Sequence, residues 1–328
     1  MFPPQVPTAA DTADTVSVCI IGDVMMHARQ LEHDHSLFLS EIEPVLSGAD
    51  LSIANAEFTL AGKPYSGYPA FSAPDSYRQS ILDSGVDVLL TANNHILDKG
   101  AKGLERTLKQ YESFTGSGLD AEQFDSINPL IIRKRGVWIA LVNFTYGTNC
   151  GSSSEFPKVN YMKKALLEGQ MRRAREKADI VLALPHWGEE YSLKHNQSQE
   201  NWAGWLVENG ADAIIGAHPH VVQDTAHIAG VPVVYSLGNA VSNMSAANTR
   251  LELAVILKIV HWRISGLCEL LEPELRFMWC TLPGKLVQGY RTIFVDEWKD
   301  KREQWLDPSD YDNMIRTLER VKKETRIQ

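Results

Sequence analysis

The chain has 328 residues, of which 44% are hydrophobic and 22% charged, with a formal net charge of −9. That is enough for one large α/β domain with a sizeable core, or for two modest domains, and the acidic balance argues against general nucleic-acid binding, which needs clustered Lys and Arg. Four cysteines with no CxxC pair give no disulfide framework, and no apolar run is long enough to span a bilayer.

The start, MFPPQVPTAADTAD, holds three prolines and no apolar core of a secretion signal. Residues 1–14 are expected to form a disordered leader. Read literally, the absence of an export signal predicts a cytoplasmic protein. Were an N-terminal anchor removed, the leader would be its tether at the cell envelope. From residue 15 short β-branched runs alternate with amphipathic, helix-length stretches. The runs are Val16 to Ile21, Ala49 to Ala54, Val86 to Thr91, Val137 to Phe144, Ile180 to Leu184, Ala213 to Ile215 and Val231 to Ser236. Several are continuously apolar, as strands buried on both faces tend to be. The predicted helices are Ser76 to Ser84, Lys99 to Glu112, Met162 to Lys177 and Gln199 to Asn209. In the last, Trp202, Trp205 and Leu206 share one face and read as core. Arg172, Arg173, Arg175 and Lys177 read as the solvated face of the helix before it.

This alternation predicts an α/β protein. After residue 245 the texture becomes β-rich, with strands expected over Leu251 to Val260, Glu269 to Cys280 and Tyr290 to Val295. The expected domain runs over residues 15–300, and residues 301–328 carry a charged amphipathic helix starting near Ser309 that packs on it or extends from it.

Polar residues cluster where the apolar runs end. Asp23 follows the first run, and Asn55 and Glu57 follow the second. Asn93, Asn94 and His95 follow the third. His186 closes the fifth, His218 and His220 the sixth, and Asn239 comes after the seventh. Open α/β sheets place ligands outside the carboxyl ends of their strands. Each cluster alone has an ordinary reading: Asp23 as a helix cap, the Asn pair as a turn, His186 as a hydrogen-bonded core residue. His218-x-His220 is a weak signal in an extended segment, but Pro219 between them disfavours a regular strand and allows a turn that aims both rings at one centre. Together the clusters predict a metal site. Three imidazoles, two carboxylates and an Asn amide suit manganese, iron or zinc, whereas calcium asks for more oxygens.

The series Gly22-Asp23-Val24-Met25, Asn55-Ala56-Glu57, Ala92-Asn93-Asn94-His95 with Asp98 and Gly100, His186-Trp187-Gly188-Glu189-Glu190-Tyr191, Gly216-Ala217-His218-Pro219-His220 and Tyr235-Ser236-Leu237-Gly238-Asn239 resembles the CapA family of poly-γ-glutamate capsule biosynthesis proteins, related to the calcineurin-like metallophosphoesterases. The resemblance covers residues 16–243. It implies an α/β fold of two packed mixed β-sheets flanked by helices. It also implies roles: Asp23 and His220 on one metal, Glu57 bridging, Asn94, His186 and His218 on a second, and His95 as proton donor to a leaving group. The related phosphoesterases have a histidine where Met25 stands, which predicts one tight metal site and a weaker second one. The bridging residue is a Glu rather than the usual Asp, and Ala56 and Ala240 replace the family's common Leu and Phe.

The function expected from this is capsule polymer biosynthesis, through metal-dependent hydrolysis of an amide or phosphoester by a metal-activated water. The alternative is a non-catalytic binding or accessory protein for polyglutamate synthesis or export. The expected partner is an anionic polymer or glutamyl-containing substrate, within a capsule synthesis complex. Arg29, Lys63, Tyr65 and Tyr68 are the candidate substrate contacts, the last three on a Gly- and Pro-containing loop that reads equally as a lid or as an ordinary surface loop. Asn55, Glu189 and Asn239 are candidates for the shell behind the ligands.

Overall fold

The computed structural model describes residues 11–152 and 155–327. Most of the expected leader, residues 1–10, lies outside that range. Its end belongs to a sheet: Ala13 and Asp14 pair with Trp262 and His261, and the Asp11 carboxylate accepts from the backbone N–H groups of Ile264 and Ser265.

The chain first lays down β1 (Ala13–Val24), β2 (Leu51–Ala56), β3 (Val88–Leu90) and β4 (Phe114–Thr115), followed by the short β5 (Ser117–Gly118). It then crosses to a second sheet with β6 (Leu130–Lys134) and β7 (Val137–Thr145), and β8 (Lys158–Val159) returns to pair with β5. The second sheet is completed by β9 (Ile180–His186), β10 (Ala213–Ile215), β11 (Thr225–Ile228) and β12 (Val231–Val234). The chain finally rejoins the first sheet through β13 (Leu251–Trp262), β14 (Cys268–Leu270), β15 (Glu274–Thr281) and β16 (Arg291–Phe294). The first sheet is ordered β16-β15-β13-β1-β2-β3-β4 and the second β11-β12-β10-β9-β7-β6. Both are mixed: β1 to β4 are parallel, as are β7, β9, β10 and β12, and the flanking strands run antiparallel.

Period-two alternation sorts the side chains into layers. Val16, Val18 and Ile20 of β1 join Val137, Ile139 and Leu141 of β7 and Ile180, Leu182 and Leu184 of β9 in the core between the sheets. Cys19 and Ile21 point the other way, toward Tyr77, Ile81, Leu104 and Leu108 of the helices Asp75–Asp83 and Gly100–Gln110. On the far face of the second sheet, Val142, Phe144, Val181 and Ala183 meet Leu167, Met171, Ala203 and Leu206 of the helices Lys164–Lys177 and Gln197–Glu208. The result is helix, sheet, sheet, helix. The helix Gln197–Glu208 begins two residues before the apolar pattern shows it, because Asn196 and Gln199 form a reciprocal capping box.

The expected strand over Glu269 to Cys280 is two strands, since Pro273 cannot donate to a ladder and pairing stops there. The C-terminal helix Pro308–Thr325 buries Met314 and Val321 in the core between the sheets, and its Asp310 makes a buried bidentate pair with Arg250 at 2.6 Å for each bond.

Candidate metal centre

The ligand candidates come from two sheets rather than one. In the first, Asp23 lies at the end of β1, Glu57 follows β2, and Asn94 and His95 follow β3; in the second, His186 closes β9, and His218 and His220 follow β10. The parallel strands of both sheets end at the same rim, where a bridge between Val24 and Val241 ties the end of β1 to the segment after β12, and one between His186 and Ala217 extends the pairing of β9 and β10.

A bulge aims Asp23. The register of β1 on β2 passes from Ile21–Ala54 to Asp23–Asn55, so Gly22 is an extra residue. A Cβ at Gly22 would stand 2.1 Å from the Gly238 carbonyl oxygen, so only glycine fits. Its N–H donates to Glu252 Oε1 at 2.7 Å, and the Asp23 N–H reaches the Gly238 oxygen at 3.0 Å. His218 and His220 sit either side of Pro219 with φ of 102° and 58°, the left-handed region that residues with a Cβ avoid. This is the turn that Pro219 suggested.

Asp23, Glu57 and His186 each offer a ligand atom within 4.8 Å of the other two. His220 joins them, with Nδ1 at 3.3 Å from Asp23 Oδ2 and Nε2 at 3.8 Å from Glu57 Oε1. The rings of His186 and His218 are 4.8 Å apart, and the His218 N–H donates to Asp23 Oδ2 at 3.3 Å. His186 Nε2 lies 2.8 Å from Asn94 Oδ1. His95 Nε2 stands 3.9 Å from Glu57 Oε1.

A set of asparagines holds these groups. Asn55 Nδ2 donates to Asp23 Oδ1 at 2.7 Å and is 3.3 Å from His186 Nδ1. Asn93 donates to the Asn55 side chain and to the Ala56 carbonyl, and Asn239 Oδ1 is 2.8 Å from His220 Nδ1. Asp98 does the same for His95, accepting at 2.8 Å from Nδ1 while also taking the Phe71 N–H. That bond turns Nε2 toward the centre. The sequence motif contained Asp98, but only the turn from His95 to Asp98, closed by the Asp98 N–H on the His95 carbonyl at 3.0 Å, reveals what it orients.

Burial and charge set the protonation pattern. Burial pushes the Asp23 carboxyl up, but His220, His186 and Asn55 outweigh it and hold Asp23 at about 2. Burial, reinforced by the Asp23 charge, raises Glu57 well above the usual range. Burial lowers His186 to about 3 and pushes His218 far down, so both stay neutral. Burial lowers His220, but Asp23, Asn239 and Glu190 together outweigh it and leave the imidazole raised.

Both Glu57 oxygens and His218 Nδ1 are buried with no hydrogen-bond partner among the described residues. An unmet buried polar atom costs about 1–3 kcal/mol, and here several face one space ringed by imidazoles and carboxyls. That donor set fits a divalent transition ion. Met25 does not contribute: its side chain is packed in the apolar core with Ile21, Val24 and Tyr77.

Residues 17–244 match the family described as Bacterial capsule synthesis protein PGA_cap. The chain belongs to this family. Over 258 residues it is 29% identical to Capsule biosynthesis protein CapA of Bacillus anthracis, a match that takes in 72% of this chain and 62% of that one. It is 30% identical over 263 residues to PGA biosynthesis protein CapA of Bacillus subtilis (strain 168), covering 75% and 68%. The chain thus spans less than two thirds of the Bacillus anthracis relative. Among solved structures, a Staphylococcus aureus protein assigned as a 5'-nucleotidase superposes with a TM-score of 0.52 at 13% identity, over 80% of this chain and 54% of that one. A hypothetical protein of Thermus thermophilus superposes at 0.50 with 17% identity, over 79% and 98%. These likenesses concern the fold, which is metallophosphoesterase-like as this PGA_cap chain's motifs implied.

The other predicted contacts scatter. Tyr68 packs on His95 with ring centres 6.3 Å apart. Lys63 instead lies over Tyr65 and lines a separate cavity of about 240 Å³ with Lys99 and Lys102. Arg29 is exposed and its charge is felt by Tyr290. Glu189 points to solvent; the charge felt at Glu57 and His220 is that of Glu190. Trp187 is a core residue whose Nε1 donates to the Tyr235 carbonyl at 2.9 Å. Two further rings border the centre: Tyr191, which the quoted motif contained without a role, 6.2 Å from the His220 ring, and Tyr146, which had no signal in the sequence, 4.6 Å from the His218 ring. No helix among the described residues is long and apolar enough to cross a membrane.

Proposed function

We propose that this protein is a metal-dependent hydrolase of capsule polymer biosynthesis, acting on an amide or phosphoester of a glutamyl-containing or other anionic polymer within a capsule synthesis complex. The observation that carries the reading is the buried, unpartnered carboxyl of Glu57 between Asp23, His220 and His95. Asp23, Glu57, Asn94, His186, His218 and His220 would hold manganese, iron or zinc. A bound divalent ion supplies Lewis acidity and lowers the pKa of a coordinated water to near neutrality.

The protein's own groups do the rest. Asn55 and Asn239 fix the His186 and His220 imidazoles and the Asp23 carboxylate so that no reorganisation accompanies the reaction. His95, its Nδ1 tied to Asp98, presents Nε2 to the centre and delivers a proton to the departing amine or oxygen. Asn149, with its Nδ2 3.5 Å from the His95 ring nitrogens, closes that side. With Met25 in the core, the ligands of an Asp23 and His220 site number fewer than those of a site built from Asn94, His186 and His218, which supports one tight and one weaker ion with Glu57 between them.

The test is turnover. Protein loaded with Mn²⁺ should hydrolyse either a generic aryl phosphate or a γ-linked glutamyl peptide, and Glu57→Gln should lose both the metal and the turnover. Retained metal-dependent affinity for polyglutamate with no turnover of either would replace this reading with the accessory one.

A further inference from the structure

The loop between β2 and the helix Asp75–Asp83 touches the metal centre with its tip and the helix Gly100–Gln110 with its base. At the tip, Tyr68 and Phe71 pack on the His95 ring with ring centres 6.3 and 4.7 Å away. At the base, the Leu60 N–H donates to Thr107 Oγ1 at 2.9 Å, Arg106 donates to the Leu60 carbonyl, and the Ser72 hydroxyl donates to the Gly62 carbonyl at 2.8 Å. The cavity of about 240 Å³ lies where this base meets the start of the helix, lined by Lys63 from the loop and by Lys99 and Lys102 from the helix. Phe71 and Asp98 face His95, and the residues that follow them, Ser72 and Lys99, line the cavity. Cavity and centre are thus the two sides of one wall.

Packing places the lysines. A Cβ at Gly103 would stand 2.4 Å from the Lys99 Cβ and 3.4 Å from the Ala61 Cβ, so the glycine lets the Lys99 stem and the loop base lie directly on the helix. Lys63 Nζ stands 5.8 Å from the centre of the Tyr65 ring. Acids of the surrounding elements are engaged elsewhere: Asp75 pairs with Arg106, Glu105 with Lys109 and Asp98 with His95. No carboxylate lines the cavity, and among the described residues Lys63, Lys99 and Lys102 make no ion pair. The first turn of the helix has no acidic residue and no side-chain cap, so the positive end of its dipole adds to the same region. Three like charges around one hollow repel one another, and an anion seated between them converts that repulsion into attraction.

We propose that Lys63, Lys99 and Lys102 form a subsite for the carboxylates of a polyanionic chain, set apart from the metal centre along the same loop. The substrate class rests on the function proposed above, whereas binding at the lysines needs no turnover. A chain of several γ-linked glutamyl residues carries one carboxylate per residue and can lie at the centre and in the cavity together. A dipeptide held at the centre does not reach the lysines, so the subsite favours long chains over short ones.

Fluorescence anisotropy of a labelled γ-linked glutamyl decamer tests this on Mn²⁺-loaded protein, repeated on metal-free protein to remove turnover. The decamer should bind the unmodified protein, and more weakly as salt rises. Lys63→Gln, Lys99→Gln and Lys102→Gln combined should weaken it about tenfold, the scale of losing three exposed charge pairs, with Mn²⁺ content unchanged. Calorimetry with γ-glutamylglutamate should give the two proteins equal affinities. Lys163→Gln, Lys164→Gln and Lys177→Gln combined, which removes three exposed charges at the ends of a helix on the far face of the second sheet, should change little. Circular dichroism checks folding, and the single Lys102→Gln, at an exposed position, should give a smaller loss in the same direction. No binding of the decamer, binding indifferent to the three substitutions, or an equal loss in the control variant would each overturn the assignment. So would an inorganic polyphosphate that binds at these lysines more tightly than the decamer, which marks a phosphate site. Lysine-dependent binding with no cleavage of the decamer by mass spectrometry, and no turnover of an aryl phosphate, would keep the subsite and sink the hydrolase reading.

Discussion

The floor of the centre and its mouth are built in opposite ways. The floor residues stand at the ends of strands buried on both faces, and several are held by a second polar side chain: Asn55 for Asp23 and His186, Asn239 for His220 and Asp98 for His95. The mouth residues Tyr68, Tyr146 and Tyr191 lie in loops or just after a strand and are open to solvent. Ligands need placement to a fraction of an ångström, and rigid elements with a supporting shell provide it. Selection among substrates can be left to loops, which change without disturbing the sheets.

Substitutions on the floor should therefore have the largest effects, and they should separate metal binding from proton transfer. His218→Ala should lose metal by more than the roughly 10–100-fold that removal of a supporting residue costs, read as metal content after dialysis. His95→Ala should keep its metal while turnover falls about 10²–10⁴-fold. Asp98→Asn should shift turnover in the same direction by less, because the imidazole remains and only its orienting acceptor changes. Equal metal loss in the His95 and His218 variants would erase the distinction between them.

One layer back, Asn55→Ala and Asn239→Ala should each weaken Mn²⁺ binding about 10–100-fold by calorimetry. At the mouth, Tyr68→Ala should leave that affinity unchanged and alter only the concentration of substrate needed. A Tyr68 variant that loses metal would place the mouth within the floor.

Metal affinity should rise with pH. Burial and the charge of Asp23 raise Glu57, and Asp23, Asn239 and Glu190 together raise His220 against burial. Both must release a proton to ligate, so binding strengthens as pH climbs through their raised values. His186 and His218 are already neutral at low pH and add no step. A flat affinity from about pH 5 to 8 would contradict this protonation pattern.

The smallest expected effect lies beneath the floor. Glu252 is fully buried, and burial raises its carboxyl well above the ordinary 4.5. Below that value both folded and unfolded chains hold the proton, so there is no cost. Above it the unfolded chain releases the proton and the folded one retains it, so the cost of Glu252 grows with pH until the folded value is passed. Glu252→Gln keeps an acceptor for the Gly22 N–H at 2.7 Å. It should raise the melting temperature at pH 7 and lose that gain near pH 4.

Much of this was legible in the order of residues. The apolar runs of β1, β2, β3, β7, β9, β10 and β12 are visible because strands buried on both faces have no polar alternation to blur them. The floor residues are visible for a related reason: a polar residue closing such a run has no packing role to explain it. The short β4 and β5, and the edge strands β6 and β11, were not visible, since two-residue strands and half-exposed edges carry no period.

What the sequence determined by itself was therefore the inventory: the buried strands, the polar residues at their ends and the family. The tertiary structure decided the grouping. It took the candidate ligands from two sheets, turned the Met25 side chain into the core, sent Lys63 to a separate cavity, and set Tyr68, Tyr146 and Tyr191 against three of the histidine rings. The physical reason is that strand periodicity is a local property of the chain. Which loop tips meet depends instead on how two twisted sheets pack, and residues as far apart as Tyr68 and Tyr191 carry no mark of that in their own neighbourhoods.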